Sequence, residues 1–103
     1  MTNDPTESPA DPAPDALESR RKRLRFRSWH RGTREMDLIM GSFADAATPA
    51  FDAVLLDQYE ALLELSDPDL YNWITGKEPV PAEHDTEVMQ RLVAFRYTPR
   101  QGS

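Results

Sequence analysis

Apolar side chains recur every three or four positions from about residue 15 onward, a spacing typical of amphipathic helices. The pattern is plainest in one stretch, where Met36, Ile39, Met40 and Phe43 stand at positions i, i+3, i+4 and i+7. No stretch alternates apolar and polar residues for the length of a strand. The sequence therefore predicts an all-α fold, a compact bundle of about five short helices.

Capping residues and prolines indicate where these helices begin and end. Gly32 and Gly76 follow the first and fourth helices, at the position where a left-handed residue is favoured. Thr48-Pro49 and Ser66-Asp67-Pro68 each combine an N-cap with a proline in the first turn. The predicted helices cover about residues 15–31 with Asp15 as N-cap, 33–46, 48–63, 66–76, and 85–98 with Asp85 as N-cap and Pro99 as the stop.

The apolar face of each helix is expected to pack into one shared core. In the last three helices these residues are Phe51, Val54, Leu55, Tyr59, Leu62, Leu63, Leu70, Trp73, Ile74, Val88, Met89, Leu92 and Phe95.

The two ends of the chain differ from this helical pattern. Residues 1–14 hold four of the nine prolines and no large apolar residue after Met1, a composition typical of disorder. Three parts are therefore predicted: a disordered, acidic, proline-rich tail (1–14), a helical domain (15–98) and a flexible C-terminus (99–103).

Charge is unevenly distributed along the 103 residues, which carry a net charge of −6. Residues 1–19 contain five acidic and no basic side chains, whereas residues 20–35 contain eight basic side chains and one acidic one. The acid-rich start resembles neither a signal peptide nor an arginine-rich transit peptide, which favours a cytoplasmic protein of bacterial type. Without cysteine, the chain offers no disulfide, thiolate metal site or cysteine nucleophile.

The basic first helix is the clearest candidate for contact with a partner. On a helical wheel, Arg20, Arg23, Arg27 and Arg31 fall within a sector of about 80°. Such a stripe is compatible with a solvated surface, with nucleic-acid or membrane-surface binding, or with docking against an acidic protein. Because the rest of the chain is acidic and no nucleic-acid motif is present, an acidic protein partner is favoured.

The turn between the first two helices, Arg31-Gly32-Thr33-Arg34-Glu35, allows two local interpretations. If Gly32 is the N-cap, the Glu35 carboxylate can reach back to a backbone N–H as in a capping box. If Thr33 is the N-cap, Glu35 still lies in the first turn and interacts favourably with the helix dipole.

Two motifs together resemble the SdhE family of FAD assembly factors. The first is Arg31-Gly32-x-x-Glu35 after a basic helix containing Arg23 and Phe26, and the second is the segment Asp69-Leu70-x-x-Trp73. Their spacing and the helix order extend the resemblance over about residues 17–98. The acidic tail has no counterpart in the family's shared core.

The resemblance implies a chaperone that is not an enzyme. It would bind the flavoprotein subunit of succinate dehydrogenase, and that of fumarate reductase as a further client, and promote covalent attachment of FAD to a histidine of that subunit. Contact through Arg31, Gly32 and Glu35 is implied by the family motif, with Arg23, Arg27, His30, Thr33 and Arg34 as neighbouring contributors. The alternative is a generic helical regulator that docks through its basic first helix.

Other chemistry finds little support in the sequence. His30 and His84 share no motif, and the four glycines form no phosphate-binding loop. We therefore expect no catalytic residue, no metal site and no stable FAD binding by the free chain, which is expected to be monomeric. The carboxylates of the second and third helices (Asp45, Asp52, Asp57, Glu60 and Glu64) are interpreted as a solvated face.

Overall fold

The computed structural model describes residues 14–95, and within them it contains five α-helices and no strand. This confirms the predicted all-α bundle. The prediction of disorder for residues 1–14 lies outside the described residues except for Pro14, and Pro99 lies outside them as well. The helices are α1 (Pro14–Trp29), α2 (Arg34–Ala47), α3 (Ala53–Leu63), α4 (Asp67–Ile74) and α5 (Glu87–Ala94), with short 3₁₀ turns at Thr48–Ala50 and Ala82–His84.

The start of α3 differs from the prediction, because Thr48 ends α2 instead of capping the next helix. Its hydroxyl is buried and donates to the Ala44 carbonyl oxygen at 2.7 Å. Asp52 is the N-cap, and its carboxylate accepts from Leu55 N at 3.0 Å. With this start, Leu56 faces the core and Val54 is 62% exposed, which corrects the prediction that Val54 is buried.

Asp85 and Asp15, which the sequence predicts as N-caps, both lie at other positions of their helices. Thr86, not Asp85, caps α5, since its hydroxyl oxygen accepts from Met89 N at 3.1 Å. At the other end of the chain, α1 begins at Pro14, so Asp15 lies in its first turn. The predicted cap at Ser66 is confirmed, as is the left-handed glycine Gly76 after α4, with φ of +81°.

The core gathers residues from all five helices around Tyr59 of α3, which is fully buried. The rings of Phe43 and Phe51 lie 5.7 and 6.2 Å from the Tyr59 ring, distances typical of packed aromatic pairs. α1 contributes Leu24 to this core, and it packs against α2 where Trp29 crosses Gly41. A Cβ at Gly41 would lie 2.1 Å from the Trp29 ring, so only glycine allows this close approach.

Tyr59 also holds the polar contact between α1 and α3. Its hydroxyl lies 2.5 Å from Ser28 Oγ and 3.5 Å from the Met40 carbonyl oxygen, and Ser28 Oγ lies 2.7 Å from the Leu24 carbonyl oxygen. Burial raises the pKa of Tyr59 from 10.0 to about 12, and the bond to Ser28 only partly opposes this.

The raised pKa of Tyr59 predicts a loss of stability in alkaline solution. A folded-state pKa above the unfolded one stabilises the protein below pH 10.0, and this contribution disappears between pH 10.0 and about 12. We expect the free energy of unfolding, measured with urea, to fall by roughly 1 to 1.5 kcal/mol more between pH 9 and 11 in the wild type than in Tyr59→Phe. An equal decrease in the free energy of unfolding of the wild type and of Tyr59→Phe would contradict the assignment of the raised pKa to Tyr59.

Candidate functional site

The α1–α2 corner (residues 30–35) is a tight turn whose conformation requires glycine. Gly32 has φ of +123°, a backbone conformation that side chains with a Cβ rarely adopt. Thr33 is the N-cap of α2, with its hydroxyl oxygen accepting from Met36 N at 3.2 Å. Of the two interpretations of this turn, the one with Thr33 as the cap is therefore correct.

Asp37 closes the corner, a role that the sequence reasoning did not assign. One carboxylate oxygen accepts from Arg31 N at 2.5 Å and from Gly32 N at 3.1 Å. These are hydrogen bonds to a charged acceptor, which are stronger than those between neutral groups. The signal in the sequence for this role was an acidic residue in the first turn of α2, five residues after Gly32.

Glu35 takes no part in holding the corner together. Its side chain is exposed and has no hydrogen bond or ion pair among residues 14–95, and the same is true of Arg34. The capping box from Glu35 is thus wrong, because Asp37 satisfies the backbone donors at the turn. The corner therefore presents a carboxylate and a guanidinium to solvent on a rigid backbone.

Arg31 points the other way, into the protein. Its guanidinium binds Asp67 Oδ1 through Nε at 2.8 Å, and the carbonyl oxygens of Leu63 and Leu65 at 2.7 and 2.8 Å. Only 10% of its side chain is exposed. The resemblance implied that Arg31 contacts a partner, but its guanidinium already donates to acceptors within this chain.

Other arginines of the stripe on α1 also form ion pairs with acidic residues of this chain. Arg20 binds Asp57 at 2.6 Å and Glu60 at 2.8 Å, and Arg27 binds Glu64 at 2.6 Å. The hydrogen bond that Arg20 donates to Asp57, and then the one that it donates to Glu60, raises the pKa of Arg20. These three carboxylates remain solvent-accessible, with 46 to 71% of each side chain exposed, but they are also paired with arginines of α1.

The outer face of α1 stays open beside the corner. Phe26 is 64% exposed, and its ring stacks on His30 with 4.0 Å between the ring centroids. His30 Nδ1 lies 2.7 Å from the Phe26 carbonyl oxygen, which holds the imidazole in this orientation. Arg23 is exposed on the same helix, without a hydrogen bond or ion pair in the described part. These side chains extend the exposed surface of the corner along α1.

The second motif serves mainly the core. Leu70 is fully buried and Trp73 is 6% exposed, whereas Asp69 is exposed in the first turn of α4. Asp67, just before it, forms the ion pair with Arg31 at 2.7 Å. Arg31 of the first motif is therefore paired with a residue 36 positions further along the chain, two residues before the second motif begins.

His84 lies apart from this surface, with its ring 5.6 Å from that of Trp73 and Nε2 3.7 Å from Glu83. No group of three or more metal-ligating side chains comes together within residues 14–95. None of the described helices has the length and apolar character needed to cross a membrane.

Comparison with known proteins gives one consistent family. Residues 22–96 match the family model described as the flavinator of succinate dehydrogenase. The chain is 42% identical over 81 residues to the FAD assembly factor SdhE of Acetobacter pasteurianus, covering 79% of this chain and 74% of that protein. It is also 42% identical over 74 residues to the mitochondrial succinate dehydrogenase assembly factor 2 of Dictyostelium discoideum, covering 72% of this chain.

A third relative, the mitochondrial succinate dehydrogenase assembly factor 2-A of Drosophila mojavensis, is 38% identical over 95 residues. The chain spans 52% and 60% of the lengths of the Dictyostelium and Drosophila proteins. The match to the family model includes both the α1–α2 corner and the second motif. The chain belongs to the family of flavinators of succinate dehydrogenase.

Proposed function

We propose that this chain is an assembly factor that binds the flavoprotein subunit of succinate dehydrogenase and promotes covalent attachment of FAD to it. The observation that carries the proposal is the exposed carboxylate of Glu35, which has no partner among residues 14–95 and stands on a turn held by Gly32 and Asp37. Names of the relatives, which refer to FAD assembly and succinate dehydrogenase assembly, support the same role.

The exposed residues of the corner are suited to making contacts. Glu35 offers an acceptor to a donor on the flavoprotein, and Arg34 offers a guanidinium to an acceptor. Gly32 has no side chain, and nothing lies within 4 Å of the position its Cβ would occupy, so a partner backbone can approach closely. Exposed Phe26, stacked on His30, adds an apolar surface of the kind that often anchors interfaces.

The remaining site residues either contact the partner or hold the docking surface in place. Arg23, which is exposed and unpaired within the described part of the chain, can meet an acidic group of the flavoprotein at the edge of the same surface. Thr33 and Arg27 hold the helices in place, through the cap of α2 and the ion pair with Glu64. Asp69 is a further exposed carboxylate, while Leu70 and Trp73 support it from the core.

We place the chemistry of flavin attachment in the flavoprotein, and assign no catalytic step to this chain. A surface that orders the partner's own groups accelerates a reaction by positioning them, since correct orientation alone contributes several kcal/mol to rate enhancement. The free chain is proposed to hold no FAD stably and to act as a monomer in the cytoplasm. The flavoprotein of fumarate reductase is the second proposed client.

Co-expression with a succinate dehydrogenase flavoprotein, in a host lacking its own assembly factor, tests the proposal. Covalent flavin is measured as fluorescence of the denatured flavoprotein band, normalised to protein. We expect several-fold more fluorescence with this chain than without it. Equal fluorescence would overturn the proposal. The alternative, a helical regulator of another protein, would then be the better hypothesis.

A further inference from the structure

Arg31 connects three elements that are distant in the sequence. Its guanidinium caps the end of α3 by donating to the carbonyl oxygens of Leu63 and Leu65, and it pairs with Asp67 at the start of α4. Carbonyl oxygens at a helix C-terminus lack partners within the helix, and a cation there is favoured by the helix dipole. Arg31 therefore stabilises the α3–α4 corner (residues 63–69) from outside it.

The backbone of Arg31 is also held in place, by a hydrogen bond to α2. Arg31 N donates to Asp37 of α2, so the α1–α2 corner and the α3–α4 corner are both bonded to one residue. Glu35 stands on the first of these corners and Asp69 on the second. A fixed Arg31 therefore fixes the relative position of the two exposed carboxylates.

We propose that Arg31 and Asp67 form a positioning pair that makes the two corners a single docking surface for the flavoprotein. Arg31 then acts through the placement of Glu35 and Asp69, without donating to the partner itself. The Nε, Nη1 and Nη2 atoms of its guanidinium all have acceptors within the chain. This inference rests on the proposed function, because it concerns how the same surface binds its partner.

A double-mutant cycle in binding affinity tests the pair. Arg31→Ala, Asp67→Asn and the double variant are titrated against the purified flavoprotein by calorimetry, at a temperature where circular dichroism shows each to be folded. We expect roughly tenfold weaker binding for either single variant and no further weakening in the double variant. If Arg31→Ala does not fold, Arg31→Lys takes its place in the cycle, since lysine keeps the charge but not the planar fork.

A matched control separates positioning from simple loss of stability. Val88→Ala removes buried volume in α5, and it is expected to lower the free energy of unfolding while leaving the affinity unchanged. An equal loss of affinity in Val88→Ala would overturn the proposal. Wild-type affinity in Asp67→Asn, or additive effects in the cycle, would also overturn it, because Arg31 would then contact the partner directly.

A second measurement needs no partner. In the free chain, Asp67→Asn is expected to shift the backbone amide resonances of Gly32 and Glu35 in ¹H–¹⁵N spectra, since Arg31 carries the change to that corner. Unchanged resonances would contradict the coupling. Failure of the wild type to bind the flavoprotein, with this shift still present, would instead count against the proposed function.

Discussion

Glu35→Ala is expected to lower covalent flavin incorporation into the flavoprotein at least about tenfold, while the melting temperature changes by only a few degrees. The carboxylate has no partner among the described residues, so its removal leaves no buried group unsatisfied. The loss to the fold is limited to its interaction with the dipole of α2, typically 0.3 to 1 kcal/mol. Loss of one partner of a hydrogen-bonded charge pair that becomes buried in an interface typically weakens binding by about 2 to 5 kcal/mol.

Glu87→Ala is the matched control for this prediction. Glu87 is also an exposed acid in the first turn of a helix, α5, where it pairs with Arg91. Its removal has a similar effect on the helix dipole but leaves the α1–α2 corner intact. We expect flavin incorporation close to that of the wild type in Glu87→Ala, and equal losses in the two variants would exclude a specific role for Glu35.

Gly32→Arg is expected to abolish binding to the flavoprotein, and comparison with Gly32→Ala identifies the reason. Both variants place a Cβ at a residue with φ of +123°, so both carry the same kind of backbone strain, on the order of 1 to 3 kcal/mol. Within the described part of the chain, that Cβ meets nothing within 4 Å, so neither substitution causes an internal clash at this position. Only arginine projects a long side chain into the space that a partner would occupy.

The two Gly32 variants are compared by urea unfolding and by calorimetric titration with the flavoprotein. We expect similar free energies of unfolding, with affinity reduced severalfold in Gly32→Ala and beyond detection in Gly32→Arg. Equal affinities would show that backbone strain, and not the close approach of a partner, explains the requirement for glycine. Unfolding of both variants would make the turn's structural role the dominant one.

The helices, the core and the corner could be predicted because their signals are local. Apolar spacing identified α2, and Ser66 correctly marked the start of α4, whereas α1 ends at Trp29, two residues before the end that Gly32 had suggested. Local signals were ambiguous at Thr48, where threonine followed by proline suits a helix start. The hydroxyl instead bonds backward to Ala44, and only the fold determines which of these occurs.

The orientation of the arginines could not be predicted, because it depends on residues some 30 to 40 positions away. A helical wheel placed four arginines on one stripe, but it could not show that the acids of α3 lie opposite them. Arg20 and Arg27 turned out to be paired there, and Arg31 to bind the α3–α4 corner. Glu35 and Arg34 remain exposed at the corner beside Phe26 and His30, and Arg23 remains exposed along α1. The docking surface is therefore narrower than the charge pattern alone indicated.

The most direct test uses purified components, so that no other cellular protein contributes. Apo-flavoprotein is incubated with FAD and any small molecule needed for attachment, with and without an equimolar amount of this chain, and covalent flavin is followed over time in the denatured protein. We expect a several-fold higher initial rate with the wild-type chain, little increase with Glu35→Ala, and saturation near one chain per flavoprotein. Identical time courses with and without the wild-type chain would contradict the proposed role in flavin attachment.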